Sequence, residues 1–237
     1  MRRALLSLAV ALAAPGCGEQ PAAPVPGTEF GAELAASPSL STSGFNEVAC
    51  TDCHAVREDD PRILPGATLL GAAARPSWWG GTVLDLREAV DVCLVYFMKS
   101  QPLDPRSDEG RALYDYLVSL ADRGPAEAQP LTVVPKVAAA PPRGDAARGA
   151  EVHARACAAC HGTAGTGAGS RLAEAPMLPG QARAEAIEAF PDVDPAVVFT
   201  EKIRHGLFFG IGGNMPLYPV EALSDEDIGA LLAFYEM

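Results

Sequence analysis

One pentapeptide pattern occurs twice and constrains the chain more than any other feature: C-T-D-C-H at residues 50–54 and C-A-A-C-H at 157–161. Two thiols separated by two residues can each add across one vinyl group of a single porphyrin. The histidine that follows then lies beneath the ring, where it can bind the iron. The pattern predicts covalently bound haem c, and its duplication predicts two: one on Cys50, Cys53 and His54, the other on Cys157, Cys160 and His161. One competing use is a zinc site pooling ligands from both motifs. The other, a thioredoxin-like redox pair, needs a strand–helix–strand pattern that the sequence does not show.

A length of 237 residues suits two domains of about a hundred residues each. Aromatic residues make up only 6% of the chain, in keeping with haems that supply much of the core themselves. The formal charge of −12 argues against nucleic acid or an anionic membrane surface as a partner. It serves solubility first, and would also suit a basic redox partner.

The segment "MRRALLSLAVALAAPGC" (1–17) has a basic tip, an apolar stretch and small residues before Cys17. It predicts an export signal too short to span a bilayer as a stable helix. Its end resembles a bacterial lipoprotein signal, which implies lipidation at Cys17 followed by a flexible tether over 18–28. The mature protein would be periplasmic or held by lipid on the periplasmic side of the inner or outer membrane or at the cell surface, with no transmembrane helix.

The fold expected is all-α: a first haem domain over 29–122, a Pro/Ala-rich linker over 123–143 and a second haem domain over 144–237. In the second domain, Asp145 reads as the cap of a helix leading into the motif. Ser224 and Asp227 have capping-box spacing before the apolar stripe Ile228, Leu231, Leu232 and Tyr235. Residues 144–237 resemble the small class I cytochromes c, in which "IRHGLFFGIGGNMPLYP" would be the axial-methionine loop. That resemblance implies Met215 as the ligand opposite His161, with Met177 in "APMLPG" as the fallback. His153 and His205 are expected as partly exposed, satisfied side chains.

In the first domain, residues 83–99 read as one helix with Leu86, Ala89, Val90, Cys93 and Phe97 on a shared face. Five residues separate Cys93 from Met98, which on a continuous α-helix sets them about 140° apart, so unless the helix breaks only one could face an iron. The run "REAVDVCLVYFMKSQPLDPRSDEGRALYDYL" resembles the thiosulfate dehydrogenases and the related SoxA dihaem subunits. In those proteins a cysteine after such a stretch is the second ligand of the first haem, a role that would fall on Cys93, with Met98 as the alternative. "SPSLSTSGFNEVACTDCH" and "RPSWWGG" resemble the dihaem peroxidase superfamily. Arg75 could pair with a propionate, and Trp78 and Trp79 would seal the core.

An iron capped on both sides offers no open site and exchanges one electron at a time, the chemistry of a carrier. The alternatives are a thiosulfate dehydrogenase-like enzyme and a dihaem peroxidase. A sulfur anion would need cations near the first haem, and Arg57, Arg62, Arg75 and Arg87 are scattered among acidic residues.

Overall fold

A computed structural model describes residues 27–206 and 215–237. The export signal, Cys17, most of the tether and residues 207–214 of the methionine loop lie outside the described residues. Among the described residues the regular structure is helical, with one isolated bridge between Trp78 and Val83, so the chain is all-α.

Each half is organised around a crossing of two helices whose closest point is a glycine. In the first half α1 (Thr28–Ala35) packs on α4 (Asp108–Ser119). A Cβ on Gly31 would stand 2.0 Å from the Ala112 carbonyl oxygen, so only glycine permits this approach. In the second half α5 (Ala146–Val152) packs on the last helix (Asp225–Phe234), and a Cβ on Gly149 would lie 2.1 Å from the Ala230 oxygen. The two halves are thus variants of one arrangement.

Between α1 and α4 lie α2 (Cys50–Cys53), which carries the first motif, and α3 (Leu86–Val92). After α5 come α6 (Ala158–His161) with the second motif, α7 (Gly180–Ala189), α8 (Pro195–His205) and α9, the last helix. The caps follow from sequence. Asp145 accepts from the Arg148 amide at 2.9 Å, Ser107 from Gly110 at 2.9 Å and Ser224 from Asp227 at 3.1 Å, each satisfying a helix-end donor. Ile228, Leu231 and Leu232 are then fully buried, each worth roughly 1.5–3 kcal/mol of apolar transfer.

One expectation is corrected. The helix read over 83–99 is not continuous: α3 ends at Val92, and Cys93–Phe97 forms a π turn closed by the Met98 amide on the Cys93 carbonyl at 3.1 Å. The linker runs docked along the helices. The Thr132 amide and hydroxyl both donate to Glu221, and His205 Nε2 donates to the Val134 carbonyl. Further along, the Gly144 amide donates to the Gly229 carbonyl at 2.9 Å. The segment is a strap across both halves.

The halves also interlock directly. Arg155 Nε donates to Pro61 at 2.7 Å and the Ile63 amide donates back to Arg155 at 3.0 Å. Ile63 packs on the second core and Leu172 on the first.

Candidate haem sites

α2 presents Cys50, Cys53 and His54 to a cavity of about 440 Å³, within the range of roughly 300–1,000 Å³ usual for small-molecule and cofactor sites. Its walls are largely apolar, with Leu69, Leu94 and Leu113 among them. His54 is oriented by its own loop: Nδ1–H donates to the Ala67 carbonyl at 2.6 Å. Gly66 lies against the ring, where a Cβ would come within 2.3 Å of the imidazole. This bond fixes the tautomer and leaves the Nε2 lone pair for a metal. Burial pushes the His54 pKa below the ordinary histidine range, favouring the neutral, ligating form.

His161 repeats the device in the second half. Its Nδ1–H donates to the Pro176 carbonyl at 2.8 Å, and burial again lowers its pKa. Both motif histidines therefore keep Nε2 available.

Cys93 and Met98 both line the first cavity, because the π turn brings residues five apart into line where an α-helix would separate them. Met98 is buried among Leu34, Leu40 and Leu94, while burial pushes the Cys93 thiol up to about 12. Of the four arginines considered, Arg75 alone lines the cavity. It is buried and donates to the carbonyls of Thr68, Leu70 and Pro125. Arg57 and Arg62 pair with Asp59 and Asp60, and Arg87 lies over the Tyr114 ring. Trp79 stacks on Phe97 at 6.1 Å. Trp78 also faces the cavity, with a buried Nε1–H that has no acceptor among the described residues.

At the second site Met215 packs against the core containing Ile228 and Tyr235. Gly206 lets the chain pass close to it: a Cβ there would lie 2.4 Å from the Met215 oxygen. Met177 follows Pro176, whose carbonyl holds His161, so its backbone lies on the His161 side. Residues that the sequence reading passed over anchor the segment after Met215. The fully buried Arg204 donates to the Tyr218 carbonyl at 3.1 Å, to Leu223 at 2.6 Å and to Asp225 Oδ1 at 2.5 Å. Its signal was a cation one helical turn after Thr200 on the buried face of α8.

His153 and His205 are buried, not partly exposed, at 5% and 1%. His153 donates from Nε2 to the Gly162 carbonyl at 3.0 Å, so its Nδ1 accepts from the Tyr235 hydroxyl at 2.5 Å. His205 uses Nε2 on Val134, and its Nδ1 lies 2.9 Å from Glu201. Neither keeps a nitrogen for iron.

The two motifs lie close together. Cys53 interacts electrostatically with Cys160, and Tyr218 with Cys53, Cys157 and Cys160. Among the described residues they do not converge with other ligands into a set able to hold a bare metal ion, so the pooled zinc site gains no support.

Residues 144–234 match the family described as cytochrome c oxidase, cbb3-type, subunit III. The matched span contains Cys157, Cys160 and His161, whose Nε2 is left available by the Nδ1 bond to Pro176. No curated relative matches the sequence. Among solved structures, the chain is similar to the thiosulfate dehydrogenase (TsdBA) from Marichromatium purpuratum in its as-isolated form, at 19% identity and a TM-score of 0.43. The match covers 93% of this chain and 48% of that one, so the chain spans about half the length of that relative. Among the described residues no helix is long and apolar enough to cross a membrane.

Proposed function

We propose that this chain is an exported dihaem c-type cytochrome that passes single electrons between periplasmic or membrane redox partners. The observation that carries this reading is the matched state of His54 and His161. Each follows a C-x-x-C pair, each spends Nδ1 on a backbone carbonyl, and each leaves Nε2 for iron. When bound, the haems supply reversible one-electron iron chemistry.

The chain's own groups do the rest. Cys50, Cys53, Cys157 and Cys160 provide the covalent attachments. Met215 would be the second protein ligand of the haem on Cys157 and Cys160, with its main chain supported by Gly206 and the following segment by Arg204. Cys93 or Met98 stands as the ligand opposite His54. The strap residues Gln129, Pro130 and Leu131 wall the first cavity and limit water there. A thiolate on the first iron would lower its potential and a thioether on the second would raise it, so electrons would enter at the first haem and leave from the second. Export and a lipid anchor at Cys17 belong to the same reading, as does docking to a basic partner.

The test is haem content and redox titration of the full chain after maturation. Two covalent haems per chain, each titrating as one electron, are expected. A single haem would defeat the dihaem reading.

A sulfur-oxidising enzyme stands second, because Arg75 gives the first cavity one buried cation. It requires thiosulfate turnover with an electron acceptor that disappears in C93A.

A further inference from the structure

The π turn at Cys93–Phe97 removes the choice between two ligands that an α-helix would impose. In a π turn the amide of residue i+5 bonds the carbonyl of residue i, and the Met98 amide does so with Cys93 at 3.1 Å. Both side chains consequently line the cavity that His54 faces. The turn is pinned at its far end: Ser41 Oγ donates to the Met98 carbonyl at 2.6 Å, and the Ser100 amide donates to Leu94 at 2.9 Å. Such an insertion sacrifices regular α-helical bonding, and single π turns concentrate at functional sites. Here its effect is to place two sulfur-bearing residues of different hardness on the wall of the cavity that His54 also lines.

We infer that Cys93 and Met98 are alternative ligands for one iron position opposite His54, the Cys93 thiolate binding Fe(III) and the Met98 thioether binding Fe(II). The chemistry is that of charge and softness. An anionic thiolate stabilises the higher charge, and a neutral thioether the lower. On reduction by a one-electron donor, the iron gains the electron, the iron–Cys93 bond breaks and the iron–Met98 bond forms. The released thiolate takes one proton from water. Oxidation reverses each change. The exchange rests on the reading that Cys50, Cys53 and His54 carry a haem, and it makes the first site a two-state element within the carrier.

The experiment uses the full-length protein with both covalent haems, beside C93A and M98L; the leucine keeps the core volume at Met98. EPR reports the oxidised form, and carbon monoxide uptake after dithionite reduction reports an open ferrous iron. Oxidised wild type and M98L are expected to share a low-spin thiolate signal that C93A lacks. Reduced wild type is expected to stay closed to carbon monoxide, whereas reduced M98L binds it at one of its two haems. A reduced M98L as closed as the wild type overturns the exchange and leaves Met98 as core packing. Uptake by the reduced wild type overturns it too. If oxidised wild type lacks the thiolate signal, Cys93 is not an iron ligand and the exchange fails with that assignment. A protein without haem on the first motif would fail earlier, at haem content.

Discussion

Arg171 and Asp52 form a two-point ion pair across the two halves, with Nη2 2.9 Å from Oδ1 and Nη1 3.0 Å from Oδ2. Asp52 lies inside the first motif, where it also accepts from the Ala49 amide at 2.8 Å. Arg171 in turn contacts Cys160 of the second motif. One guanidinium therefore ties both C-x-x-C-H motifs together, with the fork geometry that makes arginine–carboxylate pairs directional.

Arg171 is about half exposed, so R171A should cost no more than about 1 kcal/mol. Urea unfolding at low and at molar salt checks this. The difference between wild type and variant should shrink as salt screens the exposed side of the pair.

Asp60 and Arg62 brace the first motif, since Arg62 also donates to the Thr51 carbonyl at 3.0 Å. The hydrogen bond from Arg62 is the largest cause holding Asp60 down at about 2, below its ordinary 3.8. A depressed carboxylate stabilises the fold above its unfolded pKa and loses that contribution as pH falls through its folded pKa. The contribution should be complete above pH 4 and lost as pH falls towards 2. D60N should flatten this part of the acid limb in urea midpoints measured across that window.

Tyr235→Phe removes the hydroxyl that donates to His153 Nδ1 and leaves a buried acceptor without a partner. Such a group costs about 1–3 kcal/mol. Denaturant unfolding should show that loss, and haem content should be unchanged.

Arg204→Met keeps much of the side-chain volume but strands the Tyr218 and Leu223 carbonyls. Each stranded buried group costs about 1–3 kcal/mol, so the second half should lose roughly 2–5 kcal/mol. If Met215 binds the second iron, the long-wavelength sulfur-to-iron absorption of the oxidised protein should weaken as well. An unchanged band would separate the anchor from the ligand.

What could be read from residues alone followed how local each signal was. The capping box of Ser224 and Asp227 and the buried stripe behind it depend on spacing within a few residues. The two C-x-x-C-H motifs are equally local. That Cys93 and Met98 share one cavity wall is not legible in the sequence, because periodicity assumes 3.6 residues per turn and nothing in "CLVYFM" announces a π turn. Pro/Ala composition hides the anchors of the strap, which are main-chain atoms of Thr132, Val134 and Gly144 meeting distant side chains and carbonyls. The burial of His153 and His205 is not legible in the sequence because neither partner, Tyr235 or Val134, is near in the chain.

The walls of the first cavity come from three places: its own helices, the strap at 129–131, and Pro216, Leu217, Pro219, Glu221 and Ala222 close to the end of the chain. A chain emerging from its N-terminus displays the first cysteine pair long before the residues that close over it exist. The first cavity is therefore complete only when the segment 216–222 docks. Chain order and architecture are coupled in this way: a chain truncated after residue 143 retains Cys50, Cys53 and His54 yet lacks part of the wall around them.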